Sequence, residues 1–182
     1  MRVIVGVTGA SGSIYARQLV ERLVESREVS EIALIMTNNG RAVAEYEGVT
    51  IPPNDKIRMV DNDNMFDAVA SGSARYDAMA VVPCSVGTLG RIASGVSADL
   101  LGRAADVMLK ERRRLVLCVR ETPLSLIHIQ NMERVTLAGA VVLPASPSFY
   151  SHPATIEEVC ATVTERVLCH LGVDAAHYEW GK

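Results

Sequence analysis

The chain has 182 residues, 49% hydrophobic and 4% aromatic, and its 18 basic and 21 acidic residues give a net charge of −3. This length predicts one domain, the apolar content excludes global disorder, and the missing basic excess argues against a nucleic-acid binder. No apolar run approaches the roughly 20 residues that span a bilayer, so no membrane protein is predicted. The first residues predict a buried strand and not a secretion signal. The four cysteines have no CxxC spacing, which predicts reduced thiols, no metal site and a cytoplasmic location.

Short apolar segments alternate with amphipathic ones along the chain. The predicted strands are Val3–Val7, Ile32–Met36, Ala78–Val82, Leu115–Val119 and Val141–Leu143. With helical periodicity between them, this alternation predicts a Rossmann-like, three-layer α/β/α fold with a mainly parallel sheet. The last helix is predicted to begin at a capping box of Thr155 and Glu158 and to end at Gly172. The polar segment Ile51–Asp67 is predicted to be a surface excursion.

Three polar turns follow the predicted strands, and ligands of parallel sheets bind beyond the carboxyl ends of strands. Gly6–Ser13 combines a Gly-rich turn with a helix start whose N–H groups suit an anion. Its spacing is not GxGxxG, which favours a mononucleotide phosphate over a pyrophosphate, although a merely tight turn is an alternative. Thr37–Gly40 taken alone indicates an ordinary N-cap. Pro83 is predicted to end a strand, and small hydroxyl residues follow it through Thr88. Three polar loops at the same edge of the sheet together indicate a polar ligand that carries a phosphate.

Charged residues mark two further segments. Arg120 and Glu121 directly follow a predicted strand, and Arg120 either binds a phosphate or carbonyl or belongs to a surface ion pair. The run Lys110–Arg114 either complements a helix dipole or supplies one residue to the site. Glu45 and Glu47 differ by about 200° around a helix axis, so at most one of them points into a site.

These segments resemble the flavin prenyltransferase (UbiX-like) family, which includes the B subunits associated with phenolic-acid decarboxylases. The matching segments are VTGASGSIY at 7–15, ASGS at 70–73, VPCSVGTL at 82–89, RAADVMLKERR at 103–113, LVLCVRETPLS at 115–125 and GAVVLPASPSFYSHP at 139–153, together with Arg166 and Trp180. The resemblance covers nearly the whole chain, is weakest at 48–68, and implies a metal-independent flavoprotein, typically a dodecamer. Such a protein joins the dimethylallyl group of dimethylallyl phosphate to N5 and C6 of reduced FMN, and the product serves a UbiD-type decarboxylase.

The resemblance also implies roles for individual residues. The implied catalytic residues are Ser11, Glu47, Lys110 and Glu121. The implied FMN-binding residues are Gly9, Ala10, Ser11, Thr37, Ser85, Val86, Gly87, Thr88, Arg103 and Arg120. The implied prenyl-phosphate residues are Lys110, Arg120, Glu121, Tyr150, Arg166 and Trp180. Residues 1–182 are expected to form a single flavoprotein domain whose tail, about 173–182, packs over the site or a neighbouring subunit.

Three other functions compete with this one. An FMN-dependent cysteine decarboxylase would use a catalytic histidine and a PASANT-like motif, whereas this chain has PCSVGT and no histidine at a predicted strand end. A non-catalytic flavin-binding subunit of an aromatic-acid decarboxylase would not require the second set of cationic residues. A decarboxylase that acts directly on an aromatic acid is the third alternative.

Overall fold

A computed structural model describes residues 1–174 and 181, and its centre is one sheet of six parallel strands. The strands are β1 (Arg2–Val7), β2 (Glu31–Met36), β3 (Ile57–Val60), β4 (Ala78–Cys84), β5 (Arg114–Val119) and β6 (Val141–Pro144), in the order β3-β2-β1-β4-β5-β6. Every neighbouring pair in the sheet is parallel. This arrangement confirms the predicted sheet, with β3 as an addition.

Helices cover both faces of the sheet. They are α1 (Ser13–Glu25), α2 (Asn38–Tyr46), α3 (Val86–Ala93), α4 (Leu100–Lys110), α5 (Leu126–Leu137) and α6 (Ile156–Leu171). The apolar sides of α1 and α6 pack on one face, and those of α3, α4 and α5 pack on the other. The three-layer α/β/α prediction is therefore confirmed. None of the helices within the described residues has the length and apolar character needed to cross a membrane.

The strand order creates a crevice at the carboxyl edge of the sheet. From β1 the chain proceeds outward through β2 to β3, whereas from β4 it proceeds in the opposite direction through β5 to β6. Since β1 and β4 are neighbours, the loops that follow them leave toward opposite faces. Ligands of open α/β sheets bind at such a switch point.

Two sequence predictions about strands were wrong. Ile57–Val60, inside the predicted surface excursion, pairs with β2 as the edge strand β3. Only one of its four residues is buried, so it lacks the continuous apolar pattern of a central strand. Pro83 does not end β4. The pairing with β5 shifts register between Val81 and Cys84, so no hydrogen bond of the sheet requires a donor at position 83, and the Pro83 carbonyl accepts a hydrogen bond from the Thr8 hydroxyl.

The helix-end predictions for α6 were confirmed. Thr155 Oγ1 accepts a hydrogen bond from Glu158 N at 3.1 Å, and the Glu158 carboxylate accepts one from Thr155 N in return. Gly172 ends the helix with φ of 78°, in the left-handed region that favours glycine.

An ionic cluster holds the amino edge of the sheet. Glu31 accepts hydrogen bonds from Arg2 Nε at 2.7 Å and from the Tyr76 hydroxyl at 2.6 Å. Arg58 binds the Asp67 carboxylate through both terminal nitrogens, at 2.6 and 2.9 Å. The Arg2 hydrogen bond is the main cause that lowers the pKa of Glu31 from 4.5 to about 2, and burial opposes it. The carboxylate therefore stabilises the folded chain in its ionised form.

Glu31→Gln is expected to make the free energy of unfolding depend less on pH in the acidic range. Because the folded-state pKa lies below the unfolded value, this contribution is present above about pH 4.5 and is lost as the pH falls toward 2. The ion-paired side chains of Arg2, Glu31 and Arg58 are about one-third exposed, so we expect a loss of about 1 kcal/mol in the free energy of unfolding at pH 7. Denaturant unfolding between pH 7 and pH 2 measures it, with the exposed Glu25→Gln as the control. Equal pH slopes in the wild type and Glu31→Gln would contradict the assignment.

Candidate functional site

A cleft of about 560 Å³ lies at the carboxyl edge of the sheet, where the loops after β1, β2, β3 and β4 meet. Its lining residues are Thr8, Gly9, Thr37, Asn38, Asn39, Asn62, Asp63, Ser85, Gly87, Thr88, Arg91, Ala98 and Asp99. The volume falls in the range of roughly 300–1,000 Å³ that ligand pockets occupy. The lining is mostly hydroxyl, amide and glycine, which suits a polar ligand with several acceptor atoms.

Five residues predicted to bind FMN line this cleft: Gly9, Thr37, Ser85, Gly87 and Thr88. Three others lie beside it: Ala10 is buried in the first turn, Ser11 is exposed next to it, and Val86 begins α3.

Several lining residues were not predicted from the sequence. Asn62 and Asp63 follow β3, and they were missed because β3 itself was missed. Arg91 lies three residues beyond Thr88 on α3, so helical spacing from the predicted Thr88 was the available signal. Asp99 is the N-cap of α4, where its carboxylate accepts a hydrogen bond from Gly102 N at 2.8 Å.

Thr8 joins the two loops that diverge at the switch point. Its side chain is 2% exposed. The hydroxyl donates to Pro83 O at 2.8 Å and accepts from Ser85 N at 2.8 Å. The loop after β1 and the loop after β4 are therefore held in a fixed relation on either side of the cleft.

Two helices begin at the cleft with a capped first turn. Thr37 Oγ1 accepts a hydrogen bond from Gly40 N at 3.0 Å, which confirms it as the N-cap of α2. Ser85 Oγ accepts one from Thr88 N at 3.3 Å at the start of α3. Each cap occupies one of the four N–H groups that a helix start leaves without an intrahelical partner. Other first-turn N–H groups and the positive helix ends remain available to an anion.

Two backbone N–H groups at the start of α1 are already used within the chain, so the prediction that this helix start offers its N–H groups to an anion was wrong for these two. Gly12 and Ser13 donate their backbone N–H groups to the Glu47 carboxylate, at 2.9 and 2.8 Å. Gly12, the N-cap, has φ of 110° and no side chain with which to cap the helix. Glu47 thus supplies the missing cap from the end of α2.

The geometry distinguishes Glu47 from Glu45. Glu47 is half-buried against the turn after β1, whereas Glu45 is exposed. Burial opposes ionisation of Glu47, but hydrogen bonds from Ser11, Gly12 and Ser13 outweigh it and hold its pKa below the usual range. At neutral pH Glu47 is therefore a carboxylate beside the Ser11 hydroxyl.

Gly9→Ala is expected to weaken flavin binding by about tenfold or more. A Cβ at Gly9 would lie 2.6 Å from Asn39 Cβ, so the turn after β1 would have to move away from α2. Gly90→Ala in α3 is the control, because Gly90 is not among the residues that line the cleft and a Cβ there would lie 3.4 Å from the end of the Asn131 side chain, an ordinary contact. Fluorescence titration of both variants with FMN measures the effect. Wild-type affinity in Gly9→Ala would show that this close approach does not shape the site.

The predicted cationic residues are not all at the same edge of the sheet. Arg120 and Glu121 follow β5 at the carboxyl edge, where Arg120 N donates to Cys84 O at 3.2 Å. Lys110 ends α4 at the amino edge and forms an ion pair with Glu111. The six residues of β5 separate the two edges by about 20 Å. Lys110 and Arg120 of one subunit therefore cannot contact the same small phosphate.

Tyr150 lies in the loop after β6 and Arg166 lies on α6. The loop leaves the same carboxyl edge as Arg120, since Ala145 N donates to Val119 O at 2.8 Å. Ser148 N donates to Thr162 Oγ1 at 3.1 Å, so the loop after β6 runs along this helix. Arg166 is one turn beyond Thr162 on the same helical face, and both Tyr150 and Arg166 are exposed.

Arg103 and Trp180 complete the predicted set. The Arg103 guanidinium donates to Ala70 O at 3.1 Å and to Asp106 at 2.7 Å, so its FMN contact stays a prediction. Trp180 lies outside the described residues, as does most of the predicted tail.

Comparisons with known proteins agree on one family. A sequence model described as Flavoprotein matches residues 1–168. A flavin prenyltransferase UbiX from Methanocaldococcus jannaschii is 40% identical over 186 residues, which cover 100% of this chain and 99% of that protein.

Solved structures give the same result. A dodecameric FMN-dependent UbiX-like decarboxylase from Escherichia coli superposes with a TM-score of 0.90 at 37% identity, covering 98% of this chain and 99% of that one. AnUbiX, in complex with FMN and dimethylallyl pyrophosphate, superposes with a TM-score of 0.88 at 40% identity, covering 98% of each chain. The FMN-dependent cysteine decarboxylase TvaF is 14% identical with a TM-score of 0.64, which shows a shared fold alone.

Proposed function

The chain belongs to the flavin prenyltransferase family, and we propose that it transfers the dimethylallyl group of dimethylallyl phosphate to N5 and C6 of reduced FMN bound in the cleft. The observation that carries the proposal is the cleft itself, where two helix starts and buried hydroxyl groups converge. The product, prenylated FMN, would serve a UbiD-type decarboxylase. The sequence-based prediction of a cytoplasmic location is part of the proposal.

The residues of the cleft fit a flavin mononucleotide. The starts of α2 and α3 both border the cleft, and the first-turn N–H groups that their caps leave unused suit a single phosphate. Gly9 lets the turn after β1 approach Asn39 of α2 closely. When bound, reduced FMN supplies the two nucleophilic ring atoms that accept the dimethylallyl group. Gly9, Thr37, Ser85 and Thr88 would hold it.

Glu47 and Ser11 are proposed to move a proton. The Glu47 carboxylate is ionised at neutral pH and fixed by two backbone N–H groups, so it is available as an acceptor without reorientation. The Ser11 hydroxyl beside it would receive the proton released from C6 and pass it to the carboxylate. Such positioned proton acceptors contribute roughly 10²–10⁴-fold to a rate.

Stabilisation of the departing phosphate is proposed for the cationic residues. Cleavage of an allylic C–O bond leaves additional negative charge on phosphate, so Lys110, Arg120 and Arg166 would bind the transition state more strongly than the substrate. The Tyr150 hydroxyl would donate to the same oxygens, and Glu121 would either protonate the departing phosphate or accept a proton later.

We propose that this phosphate site is shared between subunits. Lys110 and Arg120 lie at opposite edges of the sheet, which the six residues of β5 separate by about 20 Å, and Arg166 is exposed on α6. A second subunit brings such separated groups together without any change of fold. Large exposed apolar side chains support an assembly, since Leu126, Leu137 and Phe66 are 68%, 82% and 99% exposed in the single chain.

The dodecamer of the similar Escherichia coli protein is the proposed assembly. In it, the tail of about 173–182, with Trp180, would cover the site of its own or a neighbouring subunit. Residues 1–182 would then form a single flavoprotein domain completed by its neighbours.

Two observations weigh against the alternatives. The cleft has no histidine among its described lining residues, and His128 instead closes the capping box of α5 with Ser125. A cysteine decarboxylase that uses a catalytic histidine is therefore not supported. A non-catalytic flavin subunit has no use for the cations at positions 110, 120 and 166.

The product can be tested through its use by a partner. The protein is incubated without oxygen with reduced FMN and dimethylallyl phosphate, and the filtrate is added to a flavin-free UbiD-type decarboxylase. We expect decarboxylation of the aromatic acid substrate with the complete mixture and none when dimethylallyl phosphate is omitted. Carbon dioxide release by this protein alone from an aromatic acid or a peptidyl cysteine would overturn the proposal.

A further inference from the structure

The hydroxyl of Thr88, at the start of α3, has an unused hydrogen-bond donor. Thr88 is 2% exposed, and its Oγ1 accepts from Ser85 Oγ at 3.1 Å and from the Arg91 guanidinium at 3.1 Å. A threonine hydroxyl has two lone pairs and one O–H. Because both lone pairs are occupied, the O–H must be donated to a further acceptor.

That acceptor is not found among the described residues. Ser85 Oγ donates to Thr88 and accepts from Thr88 N, so it is committed to the helix cap. Thr88 lines the cleft, and a buried hydroxyl without an acceptor is costly. The structure therefore leaves this O–H for a group that enters the cleft.

Arg91 sets the direction of this donor. Its guanidinium lines the cleft, donates to Thr88 Oγ1, and lies 3.9 Å from the Asp99 carboxylate. Asp99 is itself fixed by its hydrogen bond to Gly102 N at the start of α4. Arg91 and Ser85 thus occupy both lone pairs of Thr88 Oγ1, so the O–H points away from both of them.

We propose that Arg91 is a positioning residue that turns the Thr88 O–H toward the phosphate of FMN and makes the cleft prefer FMN to riboflavin. An uncharged flavin tail gains little from this donor and from the Arg91 cation bonded to the same hydroxyl, whereas a phosphate dianion gains from both. The inference rests on the proposed placement of FMN in the cleft.

The test is titration of the flavin-free full-length protein with FMN and with riboflavin. Arg91→Ala is expected to weaken FMN binding by about tenfold and to change riboflavin binding by less than about twofold. Arg91→Lys, which keeps a charged donor, is expected to regain part of the preference for FMN. Arg27→Ala, an exposed substitution in the turn between α1 and β2, is the matched control.

Each outcome has a definite meaning. Loss of FMN preference in Arg91→Ala with partial recovery in Arg91→Lys supports the role of Arg91. Equal weakening of FMN and riboflavin, or an unchanged preference for FMN in Arg91→Ala, overturns it. Equal affinity of the wild type for FMN and riboflavin would instead overturn the proposed phosphate position in the cleft, which separates that failure from failure of Arg91 alone.

Discussion

Replacement of Glu47 by glutamine is expected to lower the rate of prenylated-FMN formation by about 100-fold, the lower end of what a positioned proton acceptor contributes. Glutamine keeps one oxygen that accepts from Gly12 or Ser13, so the cap of α1 is weakened but not lost. The cost in the free energy of unfolding should therefore be about 1 kcal/mol. Product is measured by chromatography after anaerobic reaction with reduced FMN.

Glu45→Gln is the matched control for this prediction. It makes the same chemical change two residues earlier, on an exposed side chain of α2. Its rate should equal that of the wild type. A wild-type rate in Glu47→Gln would remove Glu47 from the proton transfer, and an equal loss in both variants would assign the effect to α2 and not to the carboxylate.

Oligomers made only of Lys110→Ala subunits, or only of Arg120→Ala subunits, are each expected to form prenylated FMN about 100-fold more slowly or worse. Oligomers that mix the two kinds of subunit should regain part of the activity. If one site takes Lys110 from one subunit and Arg120 from another, random mixing in equal amounts restores about a quarter of the sites. Mixed oligomers are prepared by co-expression with two affinity tags, and the rate per site is compared with the wild type.

The control mixture combines Lys110→Ala with the double variant Lys110→Ala, Arg120→Ala. It contains no Lys110, so no combination of subunits restores a site, and it should remain inactive. Inactivity of the first mixture as well would place Lys110 and Arg120 in the same subunit's site or remove one of them from the reaction. That result would conflict with the separation of about 20 Å along β5.

Much of the fold follows from local sequence pattern. Val3–Val7 and Leu115–Val119 form central strands because strands buried on both faces must be apolar throughout. Ile57–Val60 was not predicted as a strand because an edge strand needs only partial burial. Its Arg58 also pairs with acidic groups that cannot be identified from neighbouring positions in the sequence.

The site divides in the same way. Thr37, Ser85 and Thr88 follow strands directly, so the sheet itself brings them together. The occupation of the α1 start by Glu47 depends on a contact over 34 or 35 residues, which no local pattern contains. Lys110 and Arg120 are ten residues apart in sequence, but the strand between them carries them to opposite edges.

The mass of the flavin tests the central claim most directly. The purified protein is incubated with reduced FMN and dimethylallyl phosphate without oxygen, and the flavin is then released and its mass is measured by mass spectrometry. We predict that FMN gains the mass of one dimethylallyl unit in the wild type, and that omission of dimethylallyl phosphate leaves it unchanged. Unchanged FMN in the complete mixture, from a protein that binds FMN and remains folded, would contradict the account.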